Sequence, residues 1–587
     1  MTEHGTKQSK TSGLPRFLLA FLLALPGLAG AVAAKSKAPA APVHVKVLAF
    51  NDLHGRLSKD AQQKIHGRPV GSAAVLAACL KAAAAGMEDR TLLVEAGDLV
   101  GASPAVCALL REEPAFLFLN LLADADCTPA NRMGPDCNLV GTVGNHEFDK
   151  GVKAMLRLVN GGDAGEGMSL DAPYPGARFP VVCCNVVDAR SRKTILPPHV
   201  VKRLGGVSIG IVGAVTKTTP NELLKARVAG LDFLDEADAV NRAVKLLRKR
   251  GVRGIVVLLH QGGNQEPYDG PTDPARSGVQ GKEILDIVSR LDAEVDVVIS
   301  GHTHAFSNAL LTNAGGRPVL LTQAFSYGRA FAEIDLSVDP RTRDIVAKTA
   351  TLRYTYADEG PGMTPDPEVA AFVARAEEKV RPITGRLVGK ATGLPIQKKE
   401  IFAGESALGD LIADAHRAAG KTDFAFTNPT GIRADLVHAD VTWGDLFATQ
   451  PFQNALVRME LTGEEIGRVL RQQWGSQYGY ESLQVSGLRY AWRETDDPAG
   501  RIVEVRDAAG NPLDPSRTYT VTVNEFLAQG GNGFNVFRDL GRNRELVRDA
   551  SGGEIRDVDA LADYIRNDLK GAVAIPADFG QRVRKEP

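Results

Sequence analysis

The sequence predicts two α/β domains in tandem, and three observations predict it. Between Val45 and residue 336, apolar runs of strand length alternate with helical stretches, the pattern of α/β chains. Most of these runs end in a short polar cluster, commonly introduced by a glycine. A Gly/Pro/Asp-rich break at Asp358–Pro367 then leads into a helix, and the alternation restarts after Leu387. At 587 residues the chain exceeds what a single core covers, so two domains are expected.

The elements follow in order. Val45–Phe50 reads as a strand ending in Asn51-Asp52-Leu53-His54-Gly55. Residues 71–86 have helical periodicity, and Thr91–Ala96 is a strand followed by Gly97-Asp98. One helix is expected over 104–122. The run at 139–143 is a strand that Gly144 breaks, leading into Asn145-His146-Glu147-Phe148-Asp149. Pro180–Val187 is read as a strand carrying Asn185, and Val207–Val215 as another. Ala237–Arg250 is an amphipathic helix. Gly254–Leu259 is a strand ending at His260, and 264–280 is loop. Glu283–Leu291 is a helix, and Val295–Ile299 a strand ending in Ser300-Gly301-His302-Thr303-His304; 318–336 is further strand. Pro367 suits a first helical turn, Val369, Phe372, Val373, Ala376 and Val380 share a face, and Pro382 should stop the run. This is a linker helix at 364–382 within a linker segment 358–385. A second domain, 386–587, has helices at 406–419 and near 556–570.

Composition sets limits. Net charge is −1, which offers no basic field for a nucleic-acid polymer. Lys7, Lys10 and Arg16 precede an apolar run from Phe17 to Ala34 that closes on Ala31-Val32-Ala33-Ala34. A membrane anchor and a cleaved secretory signal both fit a run of this length; the small residues favour a signal peptide at 1–34, cut near Ala33-Ala34. The expected location is exported, with a periplasm preferred, and no anchor is expected after cleavage. Of the six cysteines, Cys127 and Cys137 flank a Pro/Gly/Asn-rich loop and are the favoured disulfide. Cys183 and Cys184 read as buried small hydrophobes, and spacing decides nothing for Cys79 and Cys107.

The strand ends carry the chemistry. Asp52 and His54, Asp98, Asn145 and His146, His260, and His302 and His304 are all nitrogen or oxygen donors, with no thiolate among them. That mixture suits Zn, Mn, Co or Fe in an open site. Two divalent ions need about seven such ligands with one bridging carboxylate, and Asp98 stands alone between the other sets. Such a pair can hold a hydroxide between the ions near neutral pH and neutralise charge during displacement at phosphorus. His4, His44, His66, His199, His416 and His438 lack a strand-end setting.

With those motifs in view, Asn51-Asp52-Leu53-His54-Gly55, Gly97-Asp98, Gly144-Asn145-His146-Glu147-Phe148-Asp149 and Gly301-His302-Thr303-His304 resemble the calcineurin-like metallophosphoesterases. Their order and the second domain resemble the 5′-nucleotidase / UDP-sugar hydrolase / 2′,3′-cyclic phosphodiesterase group. The resemblance implies a four-layer αββα catalytic domain at 35–357 and a substrate-binding C-terminal domain. It implies Asp52, His54 and His304 on one metal, Asn145, His260 and His302 on the other, and Asp98 between them. It takes His146 off the metals and places it, oriented by Asp149, on the phosphoryl group. Asn185 is implied to face the cleft. Glu405–Ala415, Asn428-Pro429-Thr430-Gly431-Ile432-Arg433, Pro451-Phe452-Gln453-Asn454 and Asn524–Phe534 are similar to the family's substrate domain. By residue type alone Phe452 and Phe526 are core phenylalanines; the resemblance makes them the base-stacking pair, with Asn428, Arg433 and Asn532 also binding substrate.

Three departures stand out. Phe402-Ala403-Gly404 occupies the place of a family arginine, Pro429-Thr430 that of a Gly-Gly, and Asn532 that of an acidic residue. The expected activity is removal of phosphate from nucleotides by a metal-bridging hydroxide. The alternatives are 2′,3′-cyclic nucleotides, UDP-sugars or dinucleotides on the same site and, more distantly, thiosulfohydrolysis or nucleotide binding without catalysis.

Overall fold

The computed structural model describes residues 41–587 except 61, 62, 164, 166, 402 and 476–479; the signal segment at 1–34 and Phe402 lie outside the described residues. Two sheets face each other in the N-terminal half. In the first, Val43–Phe50, Thr91–Glu95 and Leu139–Gly141 run parallel, and Ala330–Val338 and Ile345–Tyr354 add antiparallel at the other edge. In the second, Val207–Val215, Gly254–His260, Val295–Ser300 and Pro318–Ala324 run parallel between the antiparallel edges His199–Leu204 and Phe306–Thr312. Val45, Val47, Leu92 and Val94 interdigitate with Ile209, Ile211, Val256 and Val297 to form the inter-sheet core. Helices Ala73–Ala84, Glu113–Leu122 and Val152–Asn160 cover the first sheet, and Glu236–Lys249 and Lys282–Arg290 cover the second. This is the expected four-layer αββα sandwich. In the C-terminal half, a mixed sheet of Gln484–Ser486, Phe424–Thr427, Thr518–Asn524, Leu456–Thr462 and Arg542–Leu546 packs against helices that include Ala407–Gly420. Among the described residues no helix is long and apolar enough to cross a membrane.

Three sequence expectations are corrected. The single helix over 104–122 is two, Ala105–Ala108 and Glu113–Leu122. Arg111 and Glu112 adopt positive φ (59° and 64°) and end the first, and Pro114 opens the second where its missing N–H costs nothing. Pro180–Val187 is strand only from Val186, in Val186–Asp188. The segment before it crosses between the sheets: Val182 N–H donates to Gly141 O and Cys184 N–H to Gly213 O. A Cβ on Gly213 would stand 2.0 Å from Val182 O, so glycine permits the crossing. Pro382 does not stop its helix, which runs Pro367–Thr384 with the proline in its last turn. That helix buries Val369, Val373, Ala376 and Val380 in the core of the first sheet's helical layer.

Cys127 and Cys137 are joined, and Cys79, Cys107, Cys183 and Cys184 are buried thiols. The buried Lys202 ties the same loop, donating to Arg132 O (3.2 Å) and Gly134 O (2.8 Å). Cross-linking residues 10 apart restricts the unfolded chain; a Cys127→Ser/Cys137→Ser variant should lose about 2–3 kcal/mol of stability in urea unfolding, with the native secondary structure retained.

Candidate metal centre and substrate cleft

The carboxyl ends of the parallel strands point to one place, as open α/β sheets dictate. Asp52 and His54 follow Val43–Phe50, Asp98 follows Thr91–Glu95, Asn145 follows Leu139–Gly141, His260 ends Gly254–His260, and His302 and His304 follow Val295–Ser300. The backbone turns sharply at each loop. Asp52, His54, Asp98, His302 and His304 all have positive φ, between 51° and 77°. Strain of this kind concentrates where a site over-determines the chain. Gly144 is required for another reason: a Cβ there would lie 2.1 Å from Asp98 Oδ1.

Two groups of donor atoms result, each with its ligand atoms within 4.8 Å of one another: Asp52, His54, Asp98 and His304, and Asp98, His260 and His302. Asp98 belongs to both. His54 Nδ1 donates to Gly101 O (2.8 Å), which leaves its Nε2 lone pair 3.0 Å from His304 Nε2 and 3.6 Å from Asp98 Oδ2. His260 Nδ1 donates to Ala96 O (2.9 Å), turning its buried Nε2 to within 3.1 Å of Asp98 Oδ2 without an aligned hydrogen bond. Carbonyl anchors of this type fix the tautomer and aim the other nitrogen at a metal. Asn145 Oδ1 lies 3.1 Å from His302 Nδ1 and completes the second group. Burial drives the His54 imidazole well below its usual value. Burial opposes the charged form of His260 too, but Asp98 and Asp52 outweigh it and hold that imidazolium up to about 10. The site thus draws positive charge to one point, and imidazole nitrogens converging on one shared carboxylate fit divalent cations.

His146 belongs to neither group. Its N–H donates to Asp98 Oδ1 (2.9 Å) and its Nδ1 to Asp149 Oδ2 (2.9 Å). Burial would lower it, yet Asp149 and Asp98 raise it to about 9. Its ring lies 6.0 Å from that of Phe452, at 27°. This contact joins the metal centre to a cleft of about 660 Å³ between the two halves of the chain, a volume suited to a small organic ligand.

Asn428, Arg433, Phe452, Phe526 and Asn532 all line that cleft. Phe452 and Phe526 are half-exposed there rather than in the core. Arg433 lies 6.0 Å from the Phe452 ring and 3.4 Å from the Tyr327 hydroxyl. Burial would raise the Tyr327 phenol, but Arg433, Arg56, Lys398 and Arg329 draw it below its usual value, so this corner is strongly cationic. Gly531 packs against Phe526, where a Cβ would stand 2.4 Å from the ring. Gly531→Ala should therefore displace Phe526 and raise KM for a substrate seated against that ring about three- to tenfold with little change in kcat, as steady-state kinetics would show.

Asn185 is a correction. It is fully buried: its Nδ2 donates to Val215 O (2.6 Å) and Leu234 O (3.1 Å), and its Oδ1 accepts from Val215 N–H (3.0 Å). These bonds close the crossing segment onto a strand end and leave nothing to face the cleft. Glu222, conversely, escaped the sequence reading. It lines the cleft with Oε1 3.9 Å from His302 Nε2, beyond the strand Val207–Val215. The signal was there, since this strand too ends in a polar cluster, Thr216-Lys217-Thr218-Thr219.

An αββα sandwich with two groups of donor atoms at its strand ends, closed over by a second domain with an aromatic cleft, defines a two-domain metallophosphoesterase architecture. The chain belongs to the calcineurin-like phosphoesterases that carry a 5′-nucleotidase C-terminal domain: the family model "Calcineurin-like phosphoesterase" matches residues 45–306, and "5′-nucleotidase, C-terminal domain" matches 387–539. It is 33% identical over 91% of its length to Endonuclease YhcR of Bacillus subtilis (strain 168), 40% of which it covers. It is 33% identical over 86% of its length to the Cell wall protein Lmo0130 of Listeria monocytogenes, covering 65% of it. It therefore spans less than two thirds of either relative. A crystal structure of a 5′-nucleotidase precursor from Thermus thermophilus superposes with TM-score 0.71 at 26% identity, covering 93% of this chain and all of that one.

Proposed function

We propose that this chain is an exported phosphohydrolase that uses two divalent cations to remove phosphate from nucleotides. One observation carries the reading: Asp98 is shared by both donor groups, and His146, which Asp98 also anchors, touches the ring of Phe452 in the cleft. Asp52, His54 and His304 would hold one cation, and Asn145, His260 and His302 the other, with Asp98 common to both. When bound, the pair supplies Lewis acidity at the phosphoryl oxygens and a nucleophile near neutral pH. The protein's residues do the rest. His146, held in its charged form by Asp149 and Asp98, presents a proton from Nε2 to the phosphoryl group and stabilises its developing charge. The Arg433 fork holds an anionic group from the other domain. Phe452 and Phe526 stack the base, at about 1–3 kcal/mol per base. Distance from the metals to the stacking pair then sets which phosphorus is attacked.

The same centre would cleave 2′,3′-cyclic phosphates, UDP-sugars or dinucleotides if the cleft admits them. The likeness to a protein named an endonuclease adds a polynucleotide as a substrate to test. Export is supported by the N-terminal apolar segment, the Cys127–Cys137 disulfide and a relative named a cell wall protein. The test, with Mn or Zn added, is phosphate release from nucleoside mono-, di- and triphosphates, and chromatographic detection of ring-opened nucleotide from cyclic phosphates, of UMP from UDP-glucose and of shortened strands from single-stranded DNA. Release from 5′-mononucleotides is expected. A chain that binds nucleotides without releasing phosphate from any of them would overturn the reading.

A further inference from the structure

The departures at Thr430 and Asn532 are joined by one hydrogen-bond chain. Asn532 sits at positive φ (53°), on the cleft, with both amide protons used: Nδ2 donates to Thr430 Oγ1 (2.7 Å) and to Glu481 Oε2 (2.5 Å). An ionised carboxylate only accepts. Glu481 therefore dictates which end of the amide faces it, and Asn532 Oδ1 is turned the other way; among the described residues none donates to it. Thr430 Oγ1 also accepts from Asn428 Nδ2 (2.8 Å). With two donors on its oxygen, the hydroxyl has its proton left to give. The chain continues from Asn428 Oδ1, which accepts from Asn524 Nδ2 (2.9 Å), to Asn524 Oδ1, which accepts from Leu527 N–H (2.9 Å). A backbone donor cannot reverse, and neither can a carboxylate. The backbone donor fixes Asn524 and Asn428 from one end, and the carboxylate fixes Asn532 from the other, because the Thr430 hydroxyl between them can take either role.

The result on the cleft wall is an acceptor, Asn532 Oδ1, beside a donor, the Thr430 hydroxyl. We propose that Glu481 is a positioning residue that sets this polarity, so that Asn532 and Thr430 together read a vicinal diol, the 2′,3′-diol of a ribose. This rests on the nucleotide reading above and adds to it: the chain distinguishes ribo- from dideoxyribonucleosides through a carboxylate that does not itself line the cleft. A lone carboxylate at 532 would accept from either hydroxyl; the asparagine needs Glu481 to behave as an acceptor at all.

Binding of adenosine and of 2′,3′-dideoxyadenosine to the full metal-loaded chain, by calorimetry, tests this independently of catalysis. The ratio of the two dissociation constants is the readout. Wild type should favour adenosine about tenfold. Glu481→Gln, whose amide imposes no fixed polarity, should bring the ratio to about two or less. Asn532→Asp should do the same, because its carboxylate then meets that of Glu481. The double variant should restore the ratio, since the glutamine amide now donates to the aspartate. A purely structural role for Glu481 would not produce that rescue. If Glu481→Gln fails to fold, Thr430→Val must lower the ratio by itself. A wild-type ratio near one, an Asn532→Asp variant that discriminates better than wild type, or a double variant no better than either single one overturns the proposal. Clear discrimination without phosphate release from any nucleotide supports the diol site and counts against the hydrolase reading alone.

Discussion

Asp98→Ala should abolish the metal pair, leaving one cation or none per chain and lowering phosphate release by at least about a thousandfold. The size of the effect follows from its place. Asp98 is buried, and its Oδ2 lies 3.6 Å from His54 Nε2 and 3.1 Å from His260 Nε2, one imidazole from each donor group. Its Oδ1 accepts the His146 N–H. Removing it takes the shared carboxylate out of both donor groups, leaving the second with none, and frees the loop that carries His146. Burial works against the charged carboxylate, yet His260 and His146 hold it well below the usual carboxylate range. The ionised form, the one that can act as a ligand, is therefore favoured. Metal analysis and phosphate release on the same samples check this. Full metal content with full activity in Asp98→Ala would remove the shared-carboxylate account.

His146→Ala should separate metal binding from chemistry. Its nitrogens are not in either donor group, so the variant should keep two cations. Its kcat for a nucleotide should nonetheless fall about a hundred- to a thousandfold, the loss expected when a positioned proton donor or oxyanion stabiliser is removed. Asp149→Asn should cost less, about ten- to a hundredfold, because the imidazole remains but loses the carboxylate that holds its charge and ring orientation. Phosphate release normalised to bound metal distinguishes the cases. If His146→Ala lost metal in proportion to activity, the histidine would be a ligand after all.

The clustering of donor residues at the strand ends was legible because its signals are local. Each donor follows an apolar strand by a few residues, so alternating hydrophobicity located the strands and the polar clusters located their ends. Asp52, His54, Asp98, Asn145, His260, His302 and His304 do converge at those ends. Contacts made between distant segments left no such mark. Glu481 reaches Asn532 from 51 residues away, and Tyr327 lies between cations of both halves. Neither pairing has a periodicity to read. Asn185 misled because an asparagine beside an apolar run looks the same whether it faces a ligand or satisfies backbone groups; its hydrogen bonds to Val215 and Leu234 decide between these. The helix expected over 104–122 failed at Arg111 and Glu112, whose left-handed backbone no propensity favours. Pro382 carries less weight than its residue type suggests, because in a last turn a proline forfeits only one hydrogen bond.

If two cations sharing Asp98 drive phosphate release from a nucleotide, titrating Mn into the metal-stripped chain while following phosphate release from a 5′-mononucleotide should show no release without metal and a rate that saturates only at two equivalents per chain. Saturation at one equivalent, or release by the stripped chain, would contradict it.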